Sequence, residues 1–289
     1  MRGFTKAYSL LLLLSACLLL SSTIRISSCS SEQARQEPDN ADGSTMQDGY
    51  NSLYIGHSFG RPFASRLPAF ASSVGINHTQ HNVFSGGLTG SPLALWMNEE
   101  KGNEIRSLLD EGDVDLLTMI CCSDGFAQTG VDEGITNWMN YALSRNPNTT
   151  FAFAMPWIDK PKNYPNAKIY KLAYNAGYGL WLALMNNLRA EYTETSIFTI
   201  PHGRAAVKLR SAFERKYIRE LDAMTGESES AIFIDDRGHA GQILLDLGTL
   251  VWLGSIYGVD VSTYSFGDKY ETNLGAMARD IIRRDRSSR

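Results

Sequence analysis

A chain of 289 residues with 43% hydrophobic and 20% charged content reads as an ordinary globular protein, large enough for one sizeable core. Its formal charge of −4 excludes the basic excess by which a nucleic-acid-binding surface declares itself, and the short Arg283-Arg284-Asp285-Arg286 cluster reads as a solvated helix end. Four cysteines, two of them adjacent, exclude a disulfide framework; Cys121 and Cys122 are expected as two reduced thiols on a strand.

The first element is a targeting signal. Arg2 and Lys6 precede an apolar run over residues 10–20, followed by small residues, so export from the cytoplasm is expected. Residues 14–17 (LSAC) and 26–29 (ISSC) both resemble a bacterial lipobox, whose cysteine becomes the lipidated first residue of the mature chain. Cys29 fits better, because cleavage before Cys17 would leave Leu18, Leu19 and Leu20 exposed. Arg25 weakens that match, and simple secretion stays open beside a membrane tether through Cys29. The division is therefore residues 1–29 as signal peptide, 30–51 as polar tether and 52–289 as the folded domain.

From residue 52 short apolar runs alternate with longer amphipathic ones, which predicts an α/β fold: a three-layer α/β/α sandwich around a mainly parallel sheet. Strands are expected at residues 53–55, 82–84, 114–120, 151–155, 196–200 and 232–234, with 114–120 central because it is almost continuously apolar. Helices are expected over 62–74, over 92–109 with an interruption near Gly102, and over 137–143, 205–224 and 243–257. The last of these is capped by Gly258. A further long helix is expected from Ile169, Leu172, Ala173, Ala176, Leu180, Ala183, Leu184 and Leu188, which recur at three- and four-residue steps as one apolar stripe.

Two segments carry chemistry. Gly56-His57-Ser58-Phe59-Gly60 sets a serine on a glycine-flanked turn directly after the first strand. Asp236-Arg237-Gly238-His239 supplies an acid and a base near the other end of the chain. A serine hydroxyl is a poor nucleophile until a base takes its proton, so neither segment means much without the other. The literal G-x-S-x-G suggests an α/β-hydrolase elbow, but that elbow follows several earlier strands and places acid and histidine on separate loops. Here only the first strand, after the leader and tether, precedes Ser58, and Asp236 and His239 lie three residues apart.

That combination resembles the SGNH hydrolases, or GDSL-type esterases, in an early G-x-S block and a late D-x-x-H block, over residues 52–257. The resemblance implies an SGNH/flavodoxin-like sandwich and a catalytic Ser58, His239 and Asp236, with Asp235 the alternative acid. It also implies an oxyanion hole with a glycine N–H from Ser85-Gly86-Gly87-Leu88-Thr89-Gly90-Ser91: Gly90, with Gly87 the alternative. The family's third block carries an asparagine donor, where this chain reads Cys121-Cys122-Ser123-Asp124. Ser123 is the substitute donor implied. His57, where the family name implies an aspartate, is expected to shape the turn, and His202 to be a loop residue. Trp157 reads equally as a pocket wall and as a core aromatic. His78 and His81 lack nearby cysteine or carboxylate spacing, so neither a metal nor a cofactor is expected.

The expected activity is hydrolysis of an ester, such as a short acyl group on a carbohydrate, by an exported serine esterase. Two alternatives keep the fold: transfer of the acyl group to an envelope or extracellular sugar, and a carbohydrate-binding protein that has lost catalysis. The partner expected is a small-molecule or glycan ester, with no nucleic acid.

Overall fold

The structure, a computed structural model, describes residues 46–122 and 126–285, with the backbone alone at 127 and 128. In chain order the elements are β1 (Gln47–Gly56), α1 (Arg61–Ser73), β2 (Ile76–Phe84), α2 (Pro92–Met97), α3 (Glu99–Asp110), β3 (Leu116–Ile120), α4 (Phe126–Thr129) and α5 (Glu133–Arg145). They continue with β4 (Thr150–Ala154), α6 (Ala167–Glu191), β5 (Ile197–Ile200), α7 (Gly203–Glu214), β6 (Ala223–Thr225), β7 (Ala231–Phe233), α8 (Gln242–Tyr257) and α9 (Leu274–Arg283).

Five strands form a parallel sheet in the order β2-β1-β3-β4-β5, and β6 and β7 make a separate parallel pair. The fold is the expected α/β sandwich with β3 central. Strand residues alternate between two apolar layers. Tyr54, Leu116, Ile120, Ala152 and Ala154 face α1, α7, α8 and α9, while Leu53, Ile55, Leu117, Phe151 and Phe153 face α2, α3, α5 and α6. Both faces of the sheet are thus dry, which is why the strands read as continuous apolar runs. The strand order reverses at β1, and in such sheets the crevice outside the carboxyl ends of the strands at the reversal is where ligands bind.

Several elements depart from the sequence expectation for identifiable reasons. β1 begins at Gln47, inside the stretch read as tether, because backbone pairing of Gln47 with Ile76 and Asp48 with Asn77 needs no apolar side chain. The helical stretch after Ser91 breaks at Asn98 rather than near Gly102. The Asn98 side chain caps α3 by accepting from Lys101 N–H at 2.8 Å, and Gly102 lets α2 approach, since a Cβ there would lie 2.9 Å from the Leu95 carbonyl oxygen. α6 buries Tyr170, Tyr174, Tyr178 and Trp181, and leaves Leu172 exposed and Ile169 at the surface. α7 stops at Glu214, ten residues short of the expected end at Met224, and residues 223–225 pair with β7 instead.

Two buried polar ties hold the α1/α8/α9 layer and the end of the chain. Asp246, almost fully buried on α8, meets Arg66 of α1, accepts from Lys269 at 2.8 Å and from Tyr270 at 2.5 Å, so no lone charge is left in the core. Asp285 accepts from both Tyr178 and Thr199. Cys121 and Cys122 lie just past β3 rather than on it. Cys121 is buried and Cys122 lines the cleft described below.

Candidate active site

Ser58 sits in the turn between β1 and α1, and the two flanking glycines have a common cause. A Cβ on Gly56 would lie 2.5 Å from Ile120 Cβ, and one on Gly60 would lie 2.2 Å from Ile120 Cγ1. Both positions are pressed against the last residue of β3, and Gly56 also has φ +151. The turn closes through Gly60 and Arg61 N–H groups, which donate to the His57 carbonyl at 3.0 and 3.2 Å. His57 clamps it from the side. Its Nδ1 accepts from Phe59 N–H at 3.3 Å, so the proton is on Nε2, which donates to the Cys121 carbonyl at 3.0 Å. Burial pushes its imidazole below the ordinary histidine range, against the opposing pull of that carbonyl. His57 therefore shapes the turn, as expected, and ties it to the end of β3.

His239 comes from the loop after β7. Its Nε2 lies 3.0 Å from Ser58 Oγ and its Nδ1 lies 2.6 Å from Asp235 Oδ2. A proton on Nδ1, donated to the carboxylate, leaves the Nε2 lone pair facing the serine hydroxyl. The carboxylate in this chain of contacts is Asp235, not the Asp236 expected from D-x-x-H spacing. A β-turn from Asp235 to Gly238, with Gly238 at φ +91, brings Asp235 beside His239, where its Oδ1 accepts from Gly238 and His239 N–H at 2.9 and 3.1 Å. Asp236 points outward and pairs with Lys162 at 2.6 Å. Partial burial works against the charge on Asp235, but the hydrogen bonds from His239 and the two amides outweigh it and hold the carboxyl below its ordinary range.

The serine opens into a cleft of about 890 Å³ at the carboxyl ends of the strands. His57, Ser58 and Phe59 form its base. Gly86, Gly87, Leu88 and Thr89 make one wall, and Asp159, Lys160 and Arg237 make another, with Cys122 and His239 completing the lining. Gly90, the expected oxyanion donor, packs against Gly56 at the start of the serine turn. It is buried, and a Cβ there would lie 2.4 Å from the Gly56 carbonyl oxygen, so its lack of a side chain serves close packing. Gly87, the alternative, lines the cleft, at φ +55 with open space around it. Ser123 lies outside the described residues, as do Cys29 and the whole of residues 1–45.

Trp157 is a core aromatic with a positioning duty. It stacks on Phe59 at 4.8 Å, and its indole N–H donates to the Gly238 carbonyl at 2.8 Å, which joins the serine turn to the histidine loop. The Lys160 wall is fixed in turn. Lys160 N–H donates to the Arg237 carbonyl at 3.0 Å, and buried Arg210 donates to the carbonyls of Pro161 and Tyr164 at 2.8 and 2.5 Å. His202 is the N-cap residue of α7, fully buried among Phe63, Trp157 and Trp252, where burial pushes its imidazole down to about 3. His78 bonds Tyr257 and Gln80 on β2, and no metal-binding group of histidine, cysteine or carboxylate occurs among the described residues. Sequence reasoning did not single out Lys160, Arg237 or Arg210. Arg237 stood inside the acid–base motif, whereas nothing local marked the other two.

No family model matches the chain, and no curated protein matches it. Among solved structures it is similar to a DUF4886 family protein from Bacteroides uniformis, at TM-score 0.54 and 15% identity, covering 80% of this chain and 93% of that one. Two others are a lipopolysaccharide acetyltransferase periplasmic domain from Salmonella ser. Paratyphi A and a GDSL-like lipase from Parabacteroides merdae. The first has TM-score 0.41 and 11% identity, covering 74% of this chain and 85% of that one. The second has TM-score 0.39 and 12% identity, covering 72% of this chain and 97% of that one. The first likeness supports a shared fold and nothing finer.

Proposed function

We propose that the chain is a serine ester hydrolase of SGNH type, and the observation that carries this reading is the chain of contacts from Ser58 through His239 to Asp235 at the base of an open cleft. His239 Nε2 takes the hydroxyl proton as Ser58 Oγ attacks the ester carbonyl carbon. Asp235 holds the imidazole in the required tautomer and stabilises its charged form. The oxyanion meets the Ser58 N–H and the Gly87 N–H, donors fixed before the charge develops. His239 then gives its proton to the departing alcohol, leaving an acyl-serine. In the second half His239 takes a proton from water, the hydroxide oxygen attacks the acyl carbon, and Ser58 regains its hydrogen as the acid leaves.

Turnover of 4-nitrophenyl acetate tests the reading. Free acetate should form at a rate that Ser58→Ala removes. Equal turnover by that variant would contradict it. Adding a sugar acceptor to the same assay separates hydrolysis from acyl transfer, because transfer leaves an acetylated sugar in place of part of the free acid. A site with no Ser58-dependent turnover would instead favour the carbohydrate-binding alternative.

The leader motivates a site of action outside the cytoplasm, and no helix among the described residues is long and apolar enough to cross a membrane. Fractionation of cells expressing the full chain checks this. A chain tethered through Cys29 partitions with membranes and Cys29→Ser moves it out, whereas full retention in the cytoplasm would refute export.

A further inference from the structure

We propose that the cleft selects esters whose acyl or alcohol part carries a carboxylate or phosphate, held by Lys160 and Arg237; this rests on the hydrolase reading above. The chain as a whole is acidic, at −4, yet the wall beside Ser58 and His239 presents two cations against one carboxylate, Asp159. Other cations nearby are already engaged. Lys162 pairs with Asp236 at 2.6 Å, and Arg210 is spent on backbone carbonyls and Glu214. Among the described residues, neither the Lys160 ammonium nor the Arg237 guanidinium has an ion-pair partner, although both line the cleft.

Their placement is built rather than incidental. Lys160 adopts the left-handed conformation at φ 49, and its N–H donates to the Arg237 carbonyl at 3.0 Å, so the two cationic residues are joined through the backbone. Trp157 holds the Arg237 loop through Gly238, and Arg210 holds the Lys160 loop through Pro161. Among the described residues, the Gly86–Thr89 segment of the lining brings no charge to the cleft, and its Leu88 is exposed. Guanidinium suits a planar two-oxygen anion, and ammonium adds a point charge beside it. Asp159 on the same wall is an acceptor suited to a substrate hydroxyl.

The experiment compares kcat/KM for phenyl acetate with that for 3-carboxyphenyl acetate, which carries the anion on the alcohol side, and monophenyl glutarate, which carries it on the acyl side. Each is corrected for spontaneous hydrolysis. At least one anionic ester should be preferred by roughly tenfold, about what one charge-assisted hydrogen bond contributes. Arg237→Met and Lys160→Met should each lower the ratio of anionic to neutral turnover by about three- to tenfold, and Arg237→Glu should invert it. Should a variant fail to fold, the wild type still decides, because added salt should erode the anionic preference while leaving the neutral ester unaffected. Ser58-dependent turnover of phenyl acetate with no preference for either anionic ester overturns the proposal and leaves the hydrolase reading standing. Turnover independent of Ser58 overturns both.

Discussion

Asp235→Asn is expected to lower kcat/KM for an activated ester by about 10³- to 10⁴-fold, while Asp236→Asn lowers it by less than about threefold. The asymmetry follows from how the carboxylate is held. Asp235 Oδ1 accepts from the N–H groups of Gly238 and His239 at 2.9 and 3.1 Å, and an asparagine can keep both bonds only by placing its carbonyl oxygen there. Its NH₂ group then takes the position of Oδ2, 2.6 Å from His239 Nδ1, and donates to that nitrogen. The ring proton is driven to Nε2, which faces Ser58 at 3.0 Å as a donor and can no longer accept the hydroxyl proton. Asp236 has no such link. Its pairing with Lys162 is exposed, and such pairs contribute about 0–1 kcal/mol.

The same variant has a pH signature. The folded-state pKa of Asp235 is depressed, so its contribution to stability is fully present above the ordinary carboxylate pKa and is lost as pH falls through the depressed value. The stability difference between wild type and Asp235→Asn should therefore be constant near neutrality and shrink below about pH 4. Chemical denaturation of both proteins across that range measures it. A difference that grows on acidification would contradict the assignment.

The second large effect is steric. Gly60→Ala would put a Cβ 2.2 Å from Ile120 Cγ1 and 2.8 Å from its Cδ1, which must shift either the serine turn or the end of β3. Overpacking of this kind costs about 1–3 kcal/mol, occasionally more, and here it also displaces Ser58 from His239. Ile120→Ala alone leaves a cavity and should cost about 2–5 kcal/mol. Together the changes should partly cancel, because removing Cγ1 and Cδ1 leaves the Ile120 Cβ at 3.3 Å as the nearest of these side-chain atoms. A coupling of at least about 1 kcal/mol is expected from the double-mutant cycle, with part of the lost activity returning. Gly56→Ala should not be rescued in this way, since its Cβ would meet Ile120 Cβ itself at 2.5 Å and the backbone has φ +151. Strict additivity for Gly60 and Ile120 would show that the turn is held by something else.

The sheet was legible because its central strands are dry on both faces and therefore apolar throughout, as Leu116 to Ile120 shows. The start of β1 was not, because Gln47 and Asp48 pair with β2 through backbone while staying exposed. In α6 the expected stripe is buried at Leu184 and Leu188, but in the first half of the helix Ile169 and Leu172 stay at the surface and the larger Tyr170, Tyr174, Tyr178 and Trp181 are buried instead. Tyrosine is amphipathic, and hydropathy alone undervalues it. Ser58 and His239 were found from motif position, and the structure brings them within hydrogen-bonding distance. D-x-x-H spacing favours Asp236, but the alternative acid, Asp235, is the one at the ring, because a β-turn between Asp235 and Gly238 makes a four-residue spacing the one that closes on it. At Gly90 the feature that demands glycine is the Gly56 carbonyl beside it, a contact that no local pattern in the sequence marks. Lys160 and Arg237 meet only through tertiary structure, so no local pattern announced them.

The claim on which these expectations depend is that His239 makes Ser58 a nucleophile. Intact-mass spectrometry after incubation with a fluorophosphonate tests it most directly. The wild type should gain one adduct, mapped by fragmentation to Ser58; Ser58→Ala should gain none, and His239→Ala should react far more slowly. An adduct on Ser58→Ala equal to that on the wild type, or labelling undiminished by loss of His239, would contradict the account.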